Sequence, residues 1–188
     1  MYIILSILLI SVLIAILVYY YHSYNLVSAL SGTKYRVASE YKDQVDAANL
    51  LDTLNSRAKK LISYLQETQP NASYTQNLEN RYRSNIVENR QGNLANTSYV
   101  IDKGEKIAMC LRINGRLHDI NILTFVFIHE LAHIAIDAYG HPAEFWQTFK
   151  ILLDAATAIK IYKPINYSKS PEDYCGLSIY YNPQYSVQ

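Results

Sequence analysis

The sequence predicts an α+β domain that follows a single apolar helix at the N-terminus. Three observations predict it: an apolar run opens the chain, strand and turn signals occupy its middle, and helical periodicity flanks that middle on both sides. A chain of 188 residues has room for one anchor and one compact domain. We therefore expect a small hairpin sheet that packs beside a central helix and its flanking helices.

Residues 1–22 are expected to form a transmembrane anchor. Only two serines and the closing tyrosines interrupt the apolar run, and about 20 residues of helix span the roughly 30 Å hydrocarbon core of a bilayer. The tyrosines at 19–21 are typical of an aromatic belt at the far interface. A cleaved signal peptide is the alternative, but no Lys or Arg precedes the run. The sequence thus predicts a single-pass membrane protein and leaves the side that the domain faces open.

Residues 23–44 are expected to be a stalk that joins the anchor to a domain at 45–188. At 45–65, apolar residues recur at helical spacing with charges on the other face, which predicts an amphipathic helix packed on the domain. The polar, asparagine-rich residues 69–80 are expected to form a loop.

The middle of the chain predicts short strands. Residues 99–101 and 106–112 are rich in residues that favour strands, and Gly104 supplies a turn between them. Asn114 and Gly115 mark a second turn. These signals predict the hairpin sheet.

Two helices are expected to follow. Asp119 or Asn121 can cap the first, which is predicted to start near Ile122 and to run towards Tyr139, with Gly140 as its stop. The second is predicted to start after Pro142 and to continue to about Ile161.

The pattern His-Glu-Leu-Ala-His at 129–133 carries the candidate chemistry. Residues four apart lie on one face of a helix, so His129 and His133 can bind one metal ion. Zinc suits neutral imidazole ligands, and a catalytic zinc site keeps one position open for water. Glu130 projects from nearly the same face and can act as general base towards that water. The pattern therefore predicts a catalytic Zn²⁺ site.

Short matches to this pattern also arise by accident in helices that bind nothing. Here apolar residues at 125–128 and 134–136 flank it, so its polar side chains are expected to be partly buried. Burial of two imidazoles and a carboxylate without a partner is costly, and a metal removes that cost. The flanking residues thus favour a metal site.

A third ligand is expected after the helix. His141 is the leading candidate, because Gly140 allows the chain to turn back just before it. Asp137 and Glu144 are the alternatives, and Asp137 can instead bond to a ligand histidine from outside the site. The strand at 106–111 can pair with an extended substrate peptide or can be an ordinary core strand.

Charge and cysteine content limit the remaining possibilities. The formal net charge of +1 gives no electrostatic argument for a nucleic-acid partner. Two cysteines are too few for a disulfide scaffold. We expect Cys110 and Cys175 to be free buried thiols, with a disulfide between them as the alternative.

The histidine pattern, followed by Gly-His-Pro-Ala-Glu-Phe-Trp at 140–146, resembles the WLM-type zincin metallopeptidases and the related SprT-like and YgjP-like peptidases. The gap between His133 and His141 is longer than is usual in those families, so the helix is expected to run on before the chain turns back. The resemblance implies a zincin-like domain with zinc ligands at His129, His133 and His141, a catalytic base at Glu130, and Phe145 and Trp146 behind the metal helix.

Residues 97–112 and 173–177 resemble the short membrane-anchored WLM-like proteins of large DNA viruses. This resemblance implies a viral protein in a viral or virion membrane. Cellular WLM peptidases act on DNA-bound proteins, but this chain has no basic tail of that kind, so that substrate class is not carried over.

Two functions are compatible with these patterns. The first is a membrane-anchored zinc metallopeptidase that hydrolyses peptide bonds of a protein or peptide substrate through a zinc-bound water, with Glu130 as base. The second is a zinc-stabilised membrane or virion structural or assembly protein with little or no catalysis. A Glu between the two histidines favours the first, because a purely structural site does not need it.

Overall fold

The computed structural model describes residues 2–90 and 97–185, apart from the side chains of residues 2, 3 and 17–22. Five helices are present among these residues: α1 (Tyr2–His22), α2 (Gln44–Thr68), α3 (Ser73–Arg81), α4 (Ile120–Ala135) and α5 (Ala143–Ala158). The strands are β1 (Tyr24–Ser28), β2 (Lys34–Ala38), β3 (Ile86–Asn89), β4 (Tyr99–Ile101), β5 (Lys106–Cys110), β6 (Arg112–Ile113), β7 (Arg116–Leu117), β8 (Glu172–Tyr174) and β9 (Leu177–Ile179). Short 3₁₀ turns cover Asp102–Gly104 and Pro183–Tyr185. The expected α+β class is confirmed.

A mixed five-stranded sheet is the scaffold, with the strand order β1-β2-β3-β5-β4. The pairs β1/β2 and β4/β5 are antiparallel, whereas β2/β3 and β3/β5 are parallel. β4 is therefore the last strand on one side of the sheet, and it lies against α4. The sheet is larger than the predicted hairpin because strands from distant parts of the chain join it.

The predicted amphipathic helix is confirmed as α2 and extends from Gln44 to Thr68. From Leu51 onward, its fully buried side chains recur at alternating spacings of three and four residues, which is the period of one helical face. They are Leu51, Leu54, Ala58, Leu61 and Leu65, and they pack into the core beneath the sheet.

The prediction of a loop at 69–80 is wrong. Residues Ser73–Arg81 form α3, which packs against α4. α3 buries only Thr75 and Leu78, and two buried positions are too few to produce a readable helical period in a polar sequence.

The prediction of a stalk at 23–44 is also wrong, since residues in it form β1 and β2 of the sheet. In β2, Tyr35 and Val37 are buried while Lys34 and Arg36 are exposed, which is the two-residue period of a strand with one face on the core. The Tyr35 hydroxyl donates to the Asp52 carboxylate at 2.9 Å and joins the strand to α2. The sheet therefore begins well before residue 45.

The predicted membrane-spanning anchor is not supported, and with it the predicted single-pass membrane location. Across the described part of the chain, no helix combines the length and the apolar content that a bilayer crossing requires.

Both predicted turns in the middle of the chain are confirmed. β4 and β5 pair with Tyr99 opposite Ala108, and β6 and β7 pair around Asn114 and Gly115. Asn114 and Gly115 have φ of +50° and +76°, as a tight hairpin of Asn-Gly type requires.

The expectation of free thiols is wrong, because Cys110 and Cys175 form a disulfide. It joins the end of β5 to the turn of the β8–β9 hairpin, and the two cysteines are separated by 65 positions in sequence. Such a separation gives no local signal of proximity, so only the folded chain shows the pair.

Candidate active site

α4 carries the His-Glu-Leu-Ala-His pattern through the core. The Asp119 carboxylate caps its N-terminus by accepting a hydrogen bond from the Asn121 backbone N–H at 2.7 Å, as predicted. Almost every apolar side chain of α4 is buried. The backbone positions of His129, Glu130 and His133 are therefore fixed by packing on several sides.

α4 ends at Ala135 and not near Tyr139, so the predicted end of the helix is wrong. The Lys103 ammonium donates to the carbonyl oxygens of His133, Ile136 and Ala138 at 3.1, 3.0 and 2.8 Å. Backbone carbonyls at a helix C-terminus lack partners within the helix, and a cation there complements the helix dipole. Lys103 thus provides partners that allow the chain to leave the helix early.

α3 supplies two more donors to the same helix end. The Asn77 amide donates to the Ala135 carbonyl at 2.8 Å, and the Arg81 guanidinium reaches the carbonyls of Ile134 and Ile136 at 3.3 and 3.4 Å. The predicted helix stop at Gly140 instead lies in the loop between α4 and α5, where its φ is +72°. That loop brings the chain back towards α4.

The three candidate histidines converge. The Nε2 atom of His129 lies 3.3 Å from Nε2 of His133 and 3.1 Å from Nε2 of His141. The possible ligand atoms of the three residues all lie within 4.8 Å of one another. Two nitrogens bound to one tetrahedral zinc at about 2.0–2.1 Å would lie about 3.3 Å apart. The residues present therefore fit a zinc ion.

The alternative third ligands are not part of this group. The Asp137 carboxylate pairs with the Arg81 guanidinium at 2.5 Å, and its side chain is 83% exposed. Glu144, in the first turn of α5, is exposed as well. Among the described residues, only His129, His133 and His141 form a group that could hold a metal ion.

The protonation state of the histidines suits a metal. Burial, together with the neighbouring imidazoles, lowers the pKa of His129 to about 3 and that of His133 to about 4. Burial also lowers the pKa of His141. At neutral pH the three rings are therefore uncharged, with a lone pair available for coordination.

Aromatic rings surround the histidines. The Phe145 ring centroid lies 4.8, 4.5 and 4.6 Å from the centroids of His129, His133 and His141. Trp146 stacks on His141 at 5.6 Å between centroids. Phe145 is fully buried, so the first turn of α5 restricts the orientation of all three imidazoles.

Glu130 is buried beside them, with only 4% of its surface exposed. Burial raises the pKa of its carboxyl to about 8. Glu130 and His129 line two cavities, one of about 350 Å³ and one of about 560 Å³. The carboxyl therefore lies where both cavities approach the histidine cluster.

β4, and not the strand at 106–111, lies beside the smaller cavity. β5 pairs with β3 on one side and β4 on the other, so its main chain is used within the sheet and the suggested substrate pairing at 106–111 does not hold. Tyr99 and Val100 of β4 line the smaller cavity together with the three histidines. The strand beside the cleft is thus the terminal strand of the sheet.

Several residues near the site were not predicted from the sequence. The Tyr174 hydroxyl bonds to the Cys110 carbonyl at 2.7 Å and to the Ser98 hydroxyl at 2.6 Å. Burial raises the Tyr174 pKa, and the nearby Glu130 raises it further. No local motif marks Tyr174, Ser98 or Lys103, since each reaches the site from an element distant in sequence.

The fold resembles that of a protein of known structure. The crystal structure of Wss1 from Saccharomyces cerevisiae matches this chain with a TM-score of 0.51 and 19% sequence identity, over 66% of this chain and 88% of that one. At this level of identity the likeness concerns the fold alone. No family model matches the chain.

Sequence comparison identifies viral relatives. The chain is 34% identical to Uncharacterized protein R325 of Acanthamoeba polyphaga mimivirus over 140 residues, and these residues make up 71% of each protein. The chain therefore belongs to the family of that protein. It is also 35% identical over 96 residues to Uncharacterized protein 042R of Invertebrate iridescent virus 3, which is 49% of this chain and 54% of that protein. The expected relationship to viral proteins is confirmed.

Proposed function

We propose that this chain is a zinc-dependent peptidase. His129, His133 and His141 are the zinc ligands, and Glu130 is the general base. The observation that carries the proposal is the convergence of three imidazoles beside a buried carboxyl, with Nε2 of His129 at a spacing from Nε2 of His133 and of His141 that suits tetrahedral zinc. The fold shared with Wss1, a zincin-like protease, supports it.

Zinc and Glu130 would have different roles in the hydrolysis of the peptide bond. Bound zinc would act as a Lewis acid, which polarises the substrate carbonyl and lowers the pKa of water. Glu130 accepts a proton from the attacking water and returns it to the amine nitrogen that leaves. Burial raises the pKa of the Glu130 carboxyl in the metal-free protein, and the charge of a bound Zn²⁺ would favour the carboxylate form that accepts the proton.

β4 is well placed to orient the substrate. As the terminal strand of the sheet, Tyr99–Ile101 has one row of backbone groups that faces away from β5. An extended peptide can add to such an edge through main-chain hydrogen bonds, independent of its sequence. A peptide there would pass through the smaller cavity, which β4 shares with His129, Glu130 and His133.

The experiment that tests catalysis compares the zinc-loaded wild type with Glu130→Gln on unfolded casein, with cleavage followed by mass spectrometry. The amide keeps the size of the side chain but cannot accept the proton. We expect cleavage to fall by about 10²–10⁴-fold while the zinc content is unchanged, since general-base catalysis contributes about that much. Equal cleavage by both proteins would contradict the proposed role.

The structural alternative predicts a different outcome. If zinc only stabilised the fold, Glu130→Gln would have no effect on any activity, and removal of zinc would unfold the domain. The burial of Glu130 argues against that function, because a buried carboxyl is costly to keep where it has no chemical role.

A further inference from the structure

The larger cavity, of about 560 Å³, is lined mainly by aromatic and aliphatic side chains. Its size is within the range of about 300–1,000 Å³ that is usual for ligand sites. Its principal apolar lining residues are Phe125, Val126, Phe149, Trp146, Leu177 and Tyr181.

The cavity is connected to the reacting centre. Ser98, His129 and Glu130 line both this cavity and the smaller one beside β4. The two spaces therefore approach each other at the general base and a zinc ligand. A peptide whose main chain follows β4 would have a neighbouring side chain directed towards the larger cavity.

We propose that the larger cavity binds one large apolar side chain of the protein substrate, aromatic or leucine-like, next to the peptide bond that is cut. This inference rests on the proposed peptidase function. An aromatic side chain removes about 150–250 Å² from water when it is fully buried, and it gains further from edge-to-face contacts with other rings. The Phe125 and Phe149 rings already pack against each other at a tilt, with 5.2 Å between their centroids, and they offer ring surfaces to a third ring.

Residues from the C-terminal part of the chain form the outer wall of the larger cavity. Leu177 in β9 and Tyr180 just after it are 57% and 71% exposed, although both line the cavity. The Cys110–Cys175 disulfide ties this hairpin to β5, and Tyr181 contacts Trp146 edge to face at 5.2 Å. Apolar surface that is held in place but exposed is typical of a binding site.

Trp146 makes the proposal directly measurable. It is the only tryptophan of the chain and it lines the cavity, so its fluorescence reports occupancy without a label and without catalysis. The probes are two blocked peptides, N-acetyl-Gly-Phe-Gly-amide and N-acetyl-Gly-Ala-Gly-amide, titrated into the zinc-loaded full chain. We expect the Phe peptide to change the emission and to bind at least about tenfold more tightly than the Ala peptide.

Two variants and a matched control identify the binding surface. Leu177→Asp places a charge in the outer wall, and Val126→Phe fills the cavity from α4. Each is expected to weaken binding of the Phe peptide about tenfold or more. Leu26→Asp, which changes a similarly exposed leucine in β1, is expected to leave binding unchanged.

The outcomes separate this proposal from the peptidase function. Equal binding of the two peptides, or no effect of both variants, would overturn the cavity assignment even if casein were cut. Selective binding of the Phe peptide without any cleavage would retain the cavity and remove the peptidase. Emission that depends on protein concentration in the absence of peptide would show that a second copy of the chain covers the cavity, which also overturns the proposal.

Discussion

The Lys103 ammonium lies 3.1 Å from the carbonyl oxygen of His133, a candidate metal ligand. The same ammonium bonds to the carbonyls of Ile136 and Ala138, which lie in the loop that leads to His141. One side chain from the turn between β4 and β5 thus fixes both the end of α4 and the start of that loop. We therefore expect the position of His141 to depend on Lys103.

Lys103→Met is expected to weaken zinc binding about tenfold, because it removes one donor from each of three carbonyls and loosens the loop that carries His141. Competition with a fluorescent zinc chelator measures the change. Lys169→Met, at an exposed lysine far from α4 in sequence, is the control and should bind zinc like the wild type. Equal affinity in both variants would show that Lys103 does not position the site.

Gly104→Ala is expected to destabilise the domain by about 3 kcal/mol or more. Gly104 has φ of +119°, and an added Cβ would lie 2.5 Å from the backbone oxygen of Arg81. Gly32→Ala is the control, since Gly32 also has a positive φ, +85°, but nothing lies within 4 Å of an added Cβ. Urea unfolding should show a clearly smaller loss for Gly32→Ala, and equal losses would contradict the close approach.

Loss of the Cys110–Cys175 disulfide is expected to lower the free energy of unfolding by about 4 kcal/mol, from the loop of 65 residues that it closes. Urea unfolding of the wild type with and without reductant measures it. The double variant Cys110→Ala/Cys175→Ala should be insensitive to reductant. A wild type that reductant does not destabilise would show that the two cysteines do not constrain the unfolded chain.

The metal-free protein is expected to lose stability as the pH falls from about 6.5 towards 3. Folding lowers the pKa of His129 to about 3 and that of His133 to about 4, so the unfolded chain binds protons that the folded one does not. Their contribution is complete above the unfolded pKa of about 6.5 and is lost below it. Urea unfolding in EDTA across this range measures the slope, which should be shallower in His133→Gln. The same slope in both proteins would contradict the burial argument.

The sequence predicted the elements that have a clear period or turn. α2 and α4 bury regular apolar positions, and Asn114 with Gly115 sets its hairpin by local backbone preference alone. The convergence of His129, His133 and His141 was also anticipated, because helical spacing places the first two on one face. These features depend on residues close together in sequence.

The remaining features depend on contacts between distant residues. β2 buries Tyr35 and Val37 against elements that are unknown until the chain has folded, so the segment resembled a stalk. α4 ends early because Lys103 and Arg81 supply donors from outside the helix, which no helix propensity describes. The Cys110–Cys175 disulfide and the Tyr174 hydroxyl likewise join residues that are distant in sequence, since both connect the C-terminal part of the chain to the end of β5.

The zinc content of the purified full chain, measured by elemental analysis beside His133→Ala and His141→Ala, tests the proposed metal site. We expect about one zinc per chain in the wild type, loss of tight binding in His133→Ala, and a marked loss in His141→Ala. Asp137→Ala should retain the metal, because its carboxylate pairs with Arg81 and not with the cluster. A folded wild type that takes up no zinc when zinc is added would show that the three histidines are not a zinc site.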